Sequence, residues 1–342
     1  MIALFVILWA AGWILAVRFL RPAAEGNPSA GFRPSIVIPA RNEEHNLPRL
    51  LESIPQGAEG PLEILVVDDA SEDSTAEVAR RHGARVVSSR PLPPGWRGKT
   101  WACHQGAEAA TGEWLMFMDA DTWFEPGGLE NILARHHGGA LSVLPYHAVR
   151  KPVEDLSLFF NICMAAGTVP ASLAGQFLLV HRDDYRAAGG HEAVRGRTLE
   201  NFLLAERMRG AGVELRTIPG RGLISIRMYP EGLNALASGW SKGFAAGAGG
   251  TARGTMLLVI AWMSGLMMAP IAAALTGVWW WAAACVLCVL QVSAIGRLLG
   301  SFGAPSLFAY PVPLLFFFGL FGRAVLGRGG KSTWKGREID VD

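Results

Sequence analysis

Apolar and polar positions divide this chain into three regimes. Residues 1–17 are an uncharged apolar run that stops at Arg18 and Arg21, and residues 255–295 are apolar over about two bilayer spans without a charge. Between them, short β-branched runs alternate with amphipathic stretches of helical length, the pattern of a mostly parallel sheet with helices on both faces. The spacing predicts strands over 35–39, 63–68, 84–88 and 114–118, and helices over 44–53, 75–82 and 99–110. The strand 114–118 is almost wholly apolar, as a central parallel strand should be, and it ends in acid.

The arginines follow the first apolar run instead of preceding it, which argues for a retained anchor over a cleaved signal peptide. By the charge rule for membrane orientation, Arg18 is then cytoplasmic, the N-terminus is outside, and 32–250 is cytoplasmic. Residues 255–275 and 278–295 read as two membrane helices hinged near Thr276 and Gly277, returning the chain at Arg297. The apolar segment 307–326 is interrupted by Pro311 and Pro313, and the tail carries Arg328, Lys331, Lys335 and Arg337. A complete crossing there would carry the basic tail outside, so a broken or re-entrant segment is expected. Leu233, Leu236, Trp240 and Phe244 recur at helical spacing, which predicts an amphipathic helix lying on the bilayer. The resulting division is an anchor over 1–21, a cytoplasmic domain over 32–230, an interfacial helix over 231–250, a membrane region over 255–326 and a tail over 327–342. The expected site is the cell (inner) membrane, with several passes.

Composition adds little. A net charge of +2 without a basic-aromatic pattern gives no sign of nucleic-acid binding. Cys103 and Cys163 are far apart, and Cys285 and Cys288 lie inside an apolar helix, where packing explains them better than metal or redox chemistry.

The chemistry concentrates where strands end. Asp119 and Asp121 follow the strand 114–118, and their i, i+2 spacing in an extended segment aims both carboxylates at one ligand. Two hard oxygen donors suit Mg2+ or Mn2+, which in turn holds a diphosphate, although an isolated Asp-x-Asp is more often a solvated turn. At the first strand end, Pro39 stops the strand and a helix starts near Asn42, so Arg41 is an anion or nucleotide contact and Asn42 either that or an N-cap. Asp68 and Asp69 close the second strand and can accept from a base or ribose, or serve as ordinary loop acids.

Together, Ile38-Pro-Ala-Arg-Asn-Glu43, Val67-Asp-Asp-Ala-Ser-Glu-Asp-Ser-Thr75, Gly98-Lys99 and Met118-Asp-Ala-Asp121 resemble the family 2 glycosyltransferases with the GT-A fold, over roughly Ser35 to Lys242. The resemblance implies an α/β, Rossmann-like GT-A domain that transfers a sugar from a nucleotide diphosphate with inversion. It implies Pro39, Ala40, Arg41, Glu43, Asp68, Asp69 and Asp119 at the nucleotide sugar, Lys99 near its phosphates, and Asp119 with Asp121 at Mg2+ or Mn2+. More narrowly, Pro93-Pro-Gly-Trp-Arg-Gly-Lys-Thr-Trp-Ala-Cys103, Gly175-Gln-Phe-Leu-Leu179, Gly189-Gly-His191, Arg227-Met-Tyr-Pro230, Gly239-Trp-Ser-Lys242 and Trp334-Lys-Gly-Arg337 are similar to the membrane-bound branch that glycosylates carotenoid acids and related lipids. This implies a UDP-sugar donor and a lipid acceptor.

One position departs from the family. Where its members carry a Glu-Asp pair, whose Asp is the base, this chain has Glu200 and Asn201, and an amide takes no proton at neutral pH. Glu200 or His191 can serve as the base, His191 because its ordinary pKa near ~6.5 suits the task; alternatively the chain binds a nucleotide sugar without turnover. A carboxylic acid acceptor, already ionised, needs little base assistance. The Gln-x-x-Arg-Trp motif of processive synthases is missing, and Arg227, Trp240 and Lys242 near its place are acceptor or diphosphate contacts, with Gln176 and His191 closer to the sugar. The apolar segment 156–174 is either core or the entrance for the acceptor's hydrocarbon. A polyprenyl-phosphate sugar transferase is the second enzyme reading.

Overall fold

The first apolar run forms helix α1 (Ile2–Leu20). In this computed structural model, residues 1–20, 33–56, 60–170, 172–197, 200–326, 332–334 and 337–339 are described. The alternation predicted from the sequence follows as β1 (Ser35–Ala40), α2 (Leu47–Ser53), β2 (Glu63–Asp68), α3 (Thr75–Arg81), β3 (Arg85–Ser88), α4 (Gly98–Ala109) and β4 (Trp114–Met118). Next come β5 (Thr122–Phe124), α5 (Gly128–Ala134), β6 (Ala140–Leu144), the two-residue β7 (Tyr146–His147) and α6 (Leu158–Thr168). The chain continues through β8 (Phe177–His181), α7 (Arg182–Ala187), α8 (Glu200–Gly210), β9 (Leu215–Pro219), β10 (Ile224–Ile226) and α9 (Leu233–Gly250). Helices α10 (Arg253–Thr276), α11 (Trp279–Leu299), α12 (Ala304–Phe308) and α13 (Pro311–Leu326) precede the short strands β11 (Ser332–Trp334) and β12 (Arg337–Ile339).

These elements form two compact units. One comprises Ala23–Tyr146, Pro170–Ile226 and Lys331–Asp342; the other comprises Met1–Pro22, His147–Val169 and Arg227–Gly330. The first is built on a seven-stranded sheet of order β3-β2-β1-β4-β8-β6-β9. Strands β1 to β4 are mutually parallel, β8 runs against both β4 and β6, and β6 with β9 is parallel again. Pleat alternation sorts the residues onto two faces. Ile36, Ile38, Val66 and Met116 meet Leu47 and Leu50 of α2 and Val78 of α3, while Val37, Leu65, Val67 and Phe117 meet Ala102 of α4 and Leu204 of α8.

Helix α2 starts three residues later than the predicted 44–53. The amides of Glu43 and Glu44 donate to Thr75 Oγ1 and Asp73 Oδ2 instead, so the helix opens only at Leu47, with proline in its first turn, where no amide donor is needed.

The second unit is helical. The ends of α1 and α10 are joined by Arg18 Nη1 donating to Thr255 Oγ1 at 2.8 Å. Gly277, at φ +64°, turns α10 into α11. Inside, buried Gln291 of α11 donates to Trp9 O and accepts from Trp262 Nε1, fixing three helices in register. Among the described residues, Ile2–Phe19, Arg253–Thr276 and Trp279–Leu299 are long and apolar enough to cross a membrane. The apolar segment 307–326 is broken, as the sequence predicts, next to Pro311 and Pro313. They occupy the first turn of α13, and the break precedes them at Ala309 and Tyr310.

One expectation about an apolar segment changes, and one of two readings is selected for another. The predicted bilayer-facing side of 231–250 turns inward at Leu236 and Trp240: both are buried, Trp240 Nε1 donates to Ser157 Oγ at 2.9 Å, and its ring stacks on Phe160 at 5.0 Å. An indole whose N–H has a partner and whose face has a stacking ring gains more there than at a headgroup. Phe159 and Phe160 of 156–174 are core, against Trp262 and Phe317, which is the packing reading of that segment.

Candidate active site

The carboxyl ends of β1, β2 and β4 carry the predicted residues, as ligand sites in open α/β sheets do. The first two ends are laced together. Arg41 is buried and spends Nη1 on Asp69 O at 2.7 Å and Ala70 O at 2.9 Å, so it braces two loops and is no open anion contact. Asn42 is not a helix N-cap but a left-handed residue at φ +53°, and its Oδ1 accepts from Glu72 N. Ala70 is also left-handed, at φ +54°, a conformation costing about 1–2 kcal/mol that the bonds around it must offset. Asp68 Oδ1 accepts from Ser71 N, Asp69 is buried, and Pro39 lines the cavity described next.

That cavity holds a cluster of charged side chains. Lys99, in the first turn of α4, reaches Asp119 Oδ1 at 2.7 Å and Oδ2 at 2.9 Å, donates to Gly175 O at 2.9 Å, and lies 3.6 Å from Glu200 at the start of α8. Its ammonium is thus already occupied by carboxylates. Burial alone would lower the Lys99 pKa, but Asp119 and Glu200 outweigh it and hold the ammonium above its ordinary range. Burial raises Glu200, with Lys99 pulling the other way. Asn201 donates through Nδ2 to Leu173 O at 2.6 Å, which anchors the start of α8.

The Asp-x-Asp pair does not sit in extended chain. Strand β4 ends at Met118, and Thr122 donates to Asp119 O through both its amide and its hydroxyl, folding Asp119-Ala-Asp121 into a turn. The i, i+2 argument therefore fails as geometry: backbone closure decides the directions of the two side chains, not the pleat. Asp119 N donates to Gln176 O, while Gln176 Oε1 is a buried acceptor without a partner.

His191 does not keep the ordinary pKa expected of a base. It is 5% exposed, and burial, with Lys99 nearby, pushes it down to about 3. Sequence reasoning missed its partner Tyr185, whose hydroxyl lies 2.9 Å from His191 Nδ1 and accepts from His191 N. The signal was the double glycine between them. Gly189 and Gly190 are at φ +80° and +53°, and a Cβ on Gly190 would meet the Tyr185 ring at 2.7 Å.

The remaining predicted residues belong to the helical unit. Arg227 is not free for a diphosphate: its Nη2 donates to the buried Glu154 Oε1 at 2.7 Å. Trp240 is packed inward, as described above, and the Lys242 side chain lies outside the described residues.

Residues 35–156 match the family described as Glycosyl transferase family 2. The chain is 30% identical to the 4,4'-diaponeurosporenoate glycosyltransferase of Staphylococcus aureus (strain NCTC 8325 / PS 47) over 331 residues, 90% of this chain and 88% of that one. It belongs to glycosyl transferase family 2. The 4,4'-diaponeurosporenoate glycosyltransferase of Staphylococcus haemolyticus (strain JCSC1435) is 37% identical over 248 residues, 68% of this chain and 66% of the relative. In fold, this glycosyltransferase is similar to the mannosyltransferase PcManGT from Pyrobaculum calidifontis, solved in complex with GDP-Man and Mn2+, with a TM-score of 0.54, 17% identity, and coverage of 95% of this chain and 99% of that one. Its α/β domain has the GT-A fold, with terminal helices long and apolar enough to span a membrane.

The acidic turn has the donor chemistry of a hard divalent cation. Among the described residues no group of three His, Cys, Asp or Glu side chains forms a ready-made cage. Asp119 and Asp121 offer the hard oxygens that Mg2+ or Mn2+ takes, although both Asp119 oxygens here are paired with Lys99, so Asp121 would be the first to hold the ion.

Proposed function

We propose that this glycosyltransferase moves a sugar, with inversion, from a UDP-sugar to a hydrophobic lipid acceptor at the cytoplasmic membrane face. The observation that carries the reading is the Lys99–Asp119–Glu200 cluster, where one ammonium bridges the acidic turn and the start of α8 around a single cavity. The acceptor oxygen attacks the anomeric carbon, the bond to the diphosphate breaks on the opposite face, and Glu200 takes the proton of a hydroxyl acceptor. Glu200 is preferred over Asn201, whose amide is committed to Leu173 O. Asp119 and Asp121 would hold the cation, which neutralises charge on the leaving diphosphate. Asp68 and Asp69 are assigned to the nucleotide.

The lipid acceptor is inferred from the names of the relatives. The test is to incubate the purified protein in detergent with radiolabelled UDP-glucose, Mn2+, and either 4,4'-diaponeurosporenoate or a polyprenyl phosphate, then extract the organic phase. Label is expected on the carotenoid acid, and chelation by EDTA lowers the rate by about 100-fold or more, restored by Mn2+ or Mg2+. Label on the polyprenyl phosphate alone would replace the acceptor assignment, and nucleotide binding without any turnover would remove the enzyme reading.

The membrane arrangement is part of the proposal. Arg18, Arg253 and Arg297 cap the ends of α1, α10 and α11, and the Arg18–Thr255 bond joins two of those ends. Tyr310 donates to Leu266 O, about 20 Å along α10 from Arg253. From there α13, about 24 Å long, packs against α9, which precedes α10 in the chain, and against the turn at Pro152–Ser157, and it ends near exposed Arg323. We therefore assign α12 and α13 to a re-entrant hairpin with the tail in the cytoplasm. A C-terminal alkaline phosphatase fusion should be inactive and a fluorescent protein fusion bright; an active phosphatase would mean that α13 crosses.

A further inference from the structure

We propose that His191, held by Tyr185 as the neutral Nε2–H tautomer, is a positioning residue that orients the Glu200 carboxylate through a water in the shared cavity. This rests on the reading of Glu200 as the base.

The tautomer follows from proton accounting. Tyr185 is buried, and its oxygen accepts the His191 backbone N–H at 3.0 Å. Its own proton needs an acceptor, and His191 Nδ1 lies at 2.9 Å. Were Nδ1 the donor, the phenol proton would be left unpaired in the core, a costly arrangement. Nδ1 is therefore bare, and the neutral ring carries its hydrogen on Nε2. Burial and the Lys99 ammonium keep the ring neutral, so it donates without exchanging a proton in turnover.

Among the described residues nothing accepts from Nε2, and the ring lines the same cavity as Glu200, Asn201 and Lys99. The cavity, about 30 Å3, has room for a water, which needs two or more polar partners. Glu200 has acceptor capacity left, because a carboxylate offers two oxygens and Lys99 lies 3.6 Å from one of them. The bland alternative is that His191 only packs against Phe117, its ring at 4.9 Å.

Hydrolysis of UDP-glucose without lipid acceptor separates the two, since water as acceptor needs the base. His191→Met keeps the packing and removes the donor; its kcat should fall by about 10-fold or more with KM and UDP affinity unchanged. His191→Gln restores an N–H near the Nε2 position and should recover most of that loss. Tyr185→Phe frees the tautomer and should lower kcat by a similar factor; it decides the matter if His191→Met does not bind UDP. Equal loss in His191→Gln and His191→Met, or full kcat in His191→Met or Tyr185→Phe, would overturn the role. Glu200→Gln is measured in parallel. If it is inactive while His191→Met is fully active, only the His191 role falls; if it is fully active, the base reading falls and this inference with it.

Discussion

Glu200→Gln should lower turnover on water or a hydroxyl acceptor by about 10²–10⁴-fold while nucleotide affinity holds. The side chain is 14% exposed, opens α8, and borders the cavity, so the amide fits the same volume and removes only the ability to take a proton. On an ionised carotenoid acid the loss should be much smaller, because that acceptor brings no proton. The comparison of acceptors therefore reports the role and not merely the presence of Glu200. Since burial raises its pKa, the acidic limb of the wild-type kcat/KM profile should lie above the ordinary carboxylate range and vanish in the variant.

The sign for stability is opposite. A carboxyl whose pKa is raised on folding binds a proton more tightly in the folded state. Stability is then lost as pH rises from the unfolded to the folded pKa. Glutamine escapes that loss, and the melting temperature at neutral pH should be equal or higher. Undiminished hydrolysis, or a fall in melting temperature that accounts for the activity, would remove Glu200 from the role.

Lys99→Met is expected to cost both stability and donor binding. The ammonium is the counter-charge shared by Asp119 and Glu200, and its hydrogen bond to Gly175 O ties the β8 approach to α4. Removing it leaves two carboxylates around one cavity. Loss of one partner of a fully buried pair costs about 3–5 kcal/mol, and the partial exposure here scales this to about 2–3 kcal/mol. The melting temperature should drop by about 5–10 °C. Acidification should restore part of it, because protonating either carboxylate relieves the repulsion. The double variant Lys99→Met with Glu200→Gln should recover stability without recovering turnover, a coupling that a double-mutant cycle measures. An unchanged melting temperature in Lys99→Met would mean that the cluster is not a stability element.

Where the sequence was sufficient, the signal was short-range. The strand 114–118 was read with the bounds it has in the structure, because a central strand flanked by sheet on both sides needs an unbroken apolar run. The turn at Thr276 and Gly277 was legible for a similar reason: a left-handed residue ends a helix, and glycine adopts it freely. Side-chain roles were harder. Arg41 looked like an anion contact because the carbonyls it braces belong to Asp69 and Ala70, on another loop. Trp240 looked like a membrane-surface residue until Ser157 and Phe160 gave it an interior.

The chain by itself determined the α/β alternation, the apolar spans, and which loops collect carboxylates, since these depend on the periodicity and solvation of neighbouring residues. Only the tertiary structure decided that Lys99 is shared between Asp119 and Glu200, that the acidic pair lies in a turn, and that His191 is buried against the Tyr185 hydroxyl. Each of those outcomes depends on a partner brought close by folding, and on burial, which makes an unpaired polar group costly enough for the nearest partner to decide its state.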